Sequence, residues 1–296
     1  MTDVERLRGE LDRLVRADHL HGGTTTLEAR ALELSARALD VQQTGSATQR
    51  VRRALYGVAA AYMSTAMWAA VDARELDRAQ QHWERAMPLA GLAGDPAGQW
   101  RTWSHASMLA HQRGRVVDSL AAADASRACA ITRADPLFRS LSLARQGVAR
   151  ATLGEHIPTL RLLDHARNAM DRVDPHAARP SWIEFYDRAE LSGLGSVMNL
   201  HLGAAREAES EAHRALALLQ PTYRRNRSYY VTQLARAQLA QGDIEQATAT
   251  ARTIGDAPSP RTRELLHAFT RELLTRAPGA GQTRAWLTHQ RDTRQE

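Results

Sequence analysis

Along most of the chain apolar residues return at every third or fourth position, the spacing that keeps side chains on one face of an α-helix. Leu160, Leu163, Ala166 and Met170 form one such series, and Leu216 with Leu219 belongs to another. No segment sustains the apolar–polar alternation of a half-buried strand. The pattern predicts helices over 2–17, 24–43, 47–72, 75–92, 96–113, 115–133, 136–153, 156–172, 187–202, 204–219, 225–241, 243–254, 260–276 and 281–291. This is an all-α chain of about twelve to fourteen helices. Its longest apolar stretch, VAAAYMSTAMWAAV at 58–71, falls short of the ~20 residues that span a bilayer. It predicts a helix buried on several sides, and no membrane partner.

Punctuation divides these helices into units of about forty residues. Asp95-Pro96, Asp135-Pro136 and Asp174-Pro175 recur at spacings of 40 and 39. Gly114, Gly154, Gly203 and Gly242 each close an Ala/Leu-rich stretch, at spacings of 40, 49 and 39. Five residues after each stands a small residue: Ser119, Thr159, Ala208 and Ala247. Ala79 holds the same place after Arg74. Glycine supplies the left-handed residue that stops a helix, and the small residue lets the next helix pack closely. Asp caps free N–H groups and Pro fits the first helical position, so Asp-Pro predicts the start of each new hairpin. The 49-residue interval contains an insertion, VDPHAARPSWIEFYD. The expected organisation is a single array over 1–280, with N-terminal capping helices in 1–46, repeats over 47–257 and C-terminal capping helices in 258–280. A short helix and a fraying tail follow in 281–296.

Composition narrows the class. The 296 residues are 43% hydrophobic but only 5% aromatic. Alanine is the commonest residue and lysine is absent, so the core must be built mainly from Ala, Leu and Val. One Cys excludes a disulfide scaffold or a Cys-rich zinc module. Eighteen Gly and ten Pro are too few for a disordered or collagen-like chain. The first residues, MTDVERLRGELDRLV, carry charge from Asp3 onward and no apolar signal core, so the expected compartment is the cytoplasm. The lone Cys129 is expected to be a small core residue there.

A net charge of +6 and a sequence pI of 10.2 raise the question of nucleic acid. The charge alternates along the chain: −1 over 1–95, +5 over 96–154, −3 over 155–223 and +5 over 224–296. The densest basic cluster is RRNRSYY, where Arg224, Arg225 and Arg227 near a helix start could grip phosphate. Cross-hairpin ion pairs and a solvated face explain the alternation better, so nucleic acid is the less favoured partner.

No motif of catalysis is present. GLAGDPAG lacks the Gly-Lys-Ser/Thr of a phosphate loop, and there is no HExxH, CxxC or nucleophile elbow. His105 and His111, six residues apart, are not expected to share a helical face. The chain therefore reads as non-catalytic, with no cofactor and no metal. The aromatic residues cluster instead: Trp68, Trp83, Trp100 and Trp103, then Trp182, Phe185 and Tyr186, then Tyr223, Tyr229 and Tyr230. Most should be core, but those on a concave side could line a binding pocket. The candidates are Trp103, His105, Arg145, Tyr186, Glu190, Asn199, His201, Arg224, Arg225, Arg227 and Tyr230.

The hairpin pattern resembles tetratricopeptide-like repeats, although their usual length is about 34 residues. More specifically, residues 68–95, 179–216 and 223–247 resemble the C-terminal sensor region of actinobacterial helix-turn-helix regulators of the xenobiotic-response-element type. The resemblance implies a right-handed superhelical solenoid of helical hairpins. It also implies a regulatory binding protein, sensing a peptide, a small molecule or a protein partner in its concave groove, in bacterial transcriptional regulation. Such regulators carry an N-terminal DNA-binding domain of about 60–70 residues, whereas the present chain begins directly in the sensor-like region. A DNA-associated regulator acting through basic segments or a partner, and a scaffold or homodimer, are the alternative readings.

Overall fold

The computed structural model describes residues 2–45, 47–254 and 259–292, with residue 21 described by its backbone only. The expected boundary at 257/258 and the tail 293–296 lie outside the described residues. Fifteen α-helices follow one another with no strand among the described residues. They are α1 (Asp3–His21), α2 (Thr25–Thr44), α3 (Gln49–Asp72), α4 (Leu76–Ala93), α5 (Pro96–Gln112), α6 (Val116–Ala128), α7 (Ile131–Ala134), α8 (Pro136–Thr152), α9 (His156–Met170), α10 (Arg188–His201), α11 (Ala205–Leu218), α12 (Arg224–Ala240), α13 (Ile244–Arg252), α14 (Pro260–Arg276) and α15 (Gly281–Asp292).

Successive helices pair as α3/α4, α5/α6, α8/α9, α10/α11 and α12/α13, and the first members of these pairs also pack on one another. The turn inside each pair uses a left-handed residue: Arg74 (φ +64°), Gly114 (+72°), Gly154 (+75°), Gly203 (+74°) and Gly242 (+89°). Arg74 has a Cβ and adopts this region at a steric cost that the four glycines avoid. The small residue five positions later is buried in every pair: Ala79, Ser119, Thr159, Ala208 and Ala247. Asp95 and Asp135 cap α5 and α8, each accepting first-turn N–H groups ahead of a Pro at the first helical position.

Four expectations need correction. Asp174-Pro175 does not start a helix: its carboxylate accepts the N–H of His176 in a turn that opens the insertion, and Asp187 caps α10 instead. The expected helix 115–133 breaks at Cys129 into α6 and α7. Cys129 is half-buried rather than a core residue, and burial pushes its thiol pKa up. The apolar stretch at 58–71 belongs to a 24-residue helix, α3, which is long and apolar enough to cross a membrane by length and composition alone. Its most apolar window is 72% buried inside the protein, so α2, α4 and α5 occupy the faces a membrane would cover.

The main hydrophobic core runs continuously from Leu7 in α1 to Leu202 at the end of α10, and a second core joins α12 to α15. The terminal helix is part of that second core: Trp286 meets Phe269 edge-on at 5.4 Å and donates its Nε1–H to Thr270. The two ends of the chain also meet. α1 packs on α3, on α12 and on a 3₁₀ turn of the insertion at Ser181–Ile183, and α14 reaches α3. The Tyr62 hydroxyl donates to the Leu7 carbonyl at 2.6 Å, which ties α1 to α3.

Candidate functional site

Helices α1, α3, α5, α8, α10, α12 and α14, together with the insertion, surround a central cavity. No residue of α2, α4, α6, α9, α11 or α13 lines it. The inner member of every helix pair therefore faces one shared, partly open space of about 100 Å³. That is room for several waters or a small organic molecule.

The seam between the chain ends forms one wall. Asp72, fully buried at the end of α3, accepts the N–H of Gly23 (3.1 Å), the hydroxyl of Ser259 (3.1 Å) and Nε–H of Arg261 (3.2 Å). Burial alone would raise the Asp72 carboxyl, but Arg225 and Arg261 outweigh it and hold the pKa below the usual value. Asp18 of α1 pairs with Arg225 of α12 through contacts of 2.9 and 3.0 Å, both side chains buried. Arg225 and Arg261 both stand over the Trp68 ring, at 5.4 and 5.2 Å, and Arg261 also lies 4.6 Å from the Tyr229 ring. Gly23 is required here, since a Cβ would sit 2.6 Å from Cα of Ala69.

Two further cavity arginines, Arg101 and Arg145, have no carboxylate within ion-pair distance among the described residues. Arg101 is 6% exposed, donates to the Ala61 carbonyl and the Thr65 hydroxyl, and lies 4.8 Å from the Trp182 ring. Arg145 is 8% exposed, and its Nη1 faces the thioether sulfur of Met108. The Nε atoms of both are buried without a partner. Burial pushes Arg101 down to about 9 and lowers Arg145 as well. Loss of hydration on burial is the leading cause of both shifts.

Three histidines share the cavity. Burial pushes His19 down to about 4, against the opposing pull of Asp18. Burial, with help from His201 and Arg145, brings His111 to about 4. His105 is held well below its usual value by burial and by Arg101 and Arg145. Both ring nitrogens of His19, and Nδ1 of His105 and His111, are buried without partners. Glu190 accepts from Asn226 at 2.9 Å, and burial raises its carboxyl. Tyr230 hydrogen-bonds Glu190, and its ring lies where a Cβ of Gly193 would otherwise project.

These imidazoles tie stability to pH with a definite sign. An imidazole held below its free value of about 6.5 stays neutral in the folded chain while the unfolded chain takes up a proton. Its contribution is full above pH 6.5, falls as pH descends towards 4, and then levels off. His111→Leu is expected to lower the slope of unfolding free energy against pH in this window by up to about 1.4 kcal/mol per unit. Denaturant unfolding at several pH values measures this, and an unchanged slope contradicts the assignment.

An outer cleft of about 570 Å³ lies between α1, α3, the start of α5 and residues 179–184 of the insertion. Trp182 lines both this cleft and the central cavity, stacked on Trp100 at 6.3 Å. The insertion is held over α1 and α8 by Ser181 bonding Asp12 (2.6 Å) and Arg179 bonding Asp135 (2.7 and 3.0 Å).

Of the eleven expected site residues, His105, Arg145, Glu190, Arg225 and Tyr230 line the cavity. The others do not. Trp103 packs edge-on against Trp83 between α5 and α4. Tyr186 is core, its hydroxyl 2.8 Å from Ser140 Oγ. Asn199 donates to the Gly195 carbonyl of its own helix. His201 is exposed, edge-on to His111 at 6.1 Å. Arg224 and Arg227 are exposed, while Arg225 between them points inward to Asp18, so RRNRSYY is not one basic patch. His105 and His111 both line the cavity despite their spacing, because α5 presents a wide face running from Trp100 to Gln112.

Sequence reasoning missed Arg101, Met108, His111, Asp18 and Arg261. The signal for Arg101 is a cation inside QWRTWSHASML, at the spacing of that helix's buried face. No known protein family matches the chain, and no curated protein matches it significantly in sequence.

Proposed function

We propose that this chain is a non-catalytic sensor that holds a small-molecule effector in its central cavity. The supporting observation is the pair of buried arginines, each without a contacting carboxylate among the described residues, inside an aromatic-lined cavity formed by the inner helices and the insertion. In this reading the helix pairs form a right-handed superhelical array of tetratricopeptide-like hairpins with a period of about forty residues. The array is drawn into a closed turn by the Asp18–Arg225 and Asp72–Arg261 seam. A groove for an extended peptide would have to stay open at its ends. In this reading α1 and the insertion cross the concave side of the array, which favours a small molecule over a peptide, protein or nucleic-acid partner.

Regulation follows from the position of the seam. Arg225 and Arg261 both line the cavity and hold the chain ends together, so an occupant changes the balance between closed and open turns by its differential affinity for the two. An outward surface altered by that shift would carry the signal to a transcriptional or other cytoplasmic partner.

A library of single-ring neutral, cationic and anionic fragments, titrated into the full chain with tryptophan fluorescence and calorimetry, tests the reading. At least one fragment class is expected to saturate a single site that Met108→Trp, which fills the cavity, blocks. Absence of any saturable, Met108→Trp-sensitive site removes the proposal.

A further inference from the structure

Resting on that cavity reading, we infer that the occupant is a small organic anion with a planar apolar body, its charged head held by Arg145 and Arg101. The charges around the cavity support this. Asp18 is matched by Arg225 and Asp72 by Arg261. Glu190 is engaged by Asn226 and Tyr230. Arg101 and Arg145 hydrogen-bond neutral groups only, a carbonyl, a hydroxyl and a thioether; Asp18 and Glu190 act on them through space, without contact.

Arg145 is the less satisfied of the two. A thioether is a weak acceptor, and Met is flexible enough to move aside for a better one. A carboxylate or phosphate oxygen is the acceptor whose geometry suits a guanidinium and whose charge a dry site favours. Buried cations without counter-ions are costly, and a chain that keeps two of them beside one cavity uses them on something it binds. Nδ1 of His105, a bare acceptor close to both arginines, adds a place for one donor group of the ligand. The apolar body would lie against Val148, Leu194 and Val197, which face the same space. A single ring matches the volume; a nucleotide or an extended peptide exceeds it.

The probes are phenylacetate, phenyl phosphate, phenylacetamide, phenethylamine and inorganic phosphate, each titrated into the full chain by calorimetry and followed by thermal melting. At least one of the two aromatic anions is expected to bind at a single site, with the amide at least tenfold weaker and the amine silent. The comparison between phenylacetate and phenyl phosphate identifies the head group. Arg145→Met is expected to lose at least tenfold in affinity for the aromatic anion while its unliganded melting temperature stays the same or rises, because an unpaired buried charge has been removed. A merely structural arginine would show the reverse, a lower melting temperature with unchanged binding.

An amide or amine that binds as tightly as the acid overturns the inference, as does inorganic phosphate binding as tightly as the aromatic anions. The ranking in the unaltered chain needs no variant, so it decides the matter even if Arg145→Met fails to fold. If neutral fragments fill a Met108→Trp-sensitive site and neither anion does, the cavity reading stands and the anion inference falls. If no fragment binds, both fall.

Discussion

Asp72→Ala is expected to lower the unfolding free energy by about 3–5 kcal/mol, the loss typical of breaking a buried ion pair while its partner stays in place. Asp72 has no exposed surface and serves three donors from two segments, Gly23 after α1 and Ser259 and Arg261 at the start of α14. Removing it leaves the Arg261 guanidinium beside Trp68 and Tyr229 without its carboxylate, and the Gly23 N–H without its acceptor. Two consequences separate this from a general loss of packing. Amide exchange should quicken most in α1 and at the start of α14, the two segments the carboxylate ties to α3. Asp72→Asn, which keeps the shape and some hydrogen bonds but not the charge, should lie between the natural chain and Asp72→Ala. A loss below about 1 kcal/mol for Asp72→Ala, within the range of exposed pairs, would mean that the seam does not hold the ends together.

Trp100→Ala should cost a comparable amount, about 3–5 kcal/mol, as expected for truncating a buried aromatic side chain to alanine. The Trp100 ring meets Phe138 edge-on at 4.9 Å, stacks on Trp182, and donates from Nε1 to Ser142 at 2.8 Å. It is 1% exposed yet forms part of the cavity wall. Truncation therefore joins lost burial to an enlarged void and loosens the Trp182 partition towards the outer cleft. Ser142→Ala removes only the hydrogen-bond acceptor and should cost about 1 kcal/mol. Chemical denaturation of both variants checks the pair. A Trp100→Ala loss close to that of Ser142→Ala would show that the indole contributes through its N–H alone, and that the aromatic wall is not a packed structure.

The local parts of this architecture were legible in the sequence because they depend on neighbours. A left-handed glycine, a small residue five positions on and an Asp-Pro cap act within one turn of chain, and helix starts such as Pro96, Pro136 and Pro260 were readable to the residue. Asp174-Pro175 misled because the same dipeptide opens a turn as readily as a helix, and here the 3₁₀ segment and Asp187 intervene. The closure was not legible. Asp18 and Arg225 are 207 positions apart, and Ser259 and Asp72 are 187 apart, and periodicity carries no information at that range. The candidate site was readable where a charge interrupts an apolar helix, as Arg145 does in LSLARQGVA. It was unreadable where, as with Trp103 or Tyr186, the choice between core and cavity depends on which way a packed helix is turned. The net charge of +6 is also clarified: a part of it is buried around the cavity rather than spread on a surface for nucleic acid.

The central claim, that the central cavity is a binding site for a small organic anion, has one direct measurement. Crystals of the full chain grown with 4-bromophenylacetate, with data collected at the bromine absorption edge, locate the ligand without reference to any structural interpretation. The expected result is a bromine peak inside the cavity, with the carboxylate density against Arg145. Bromine peaks confined to the outer surface, or to the cleft outside Trp182, would contradict it.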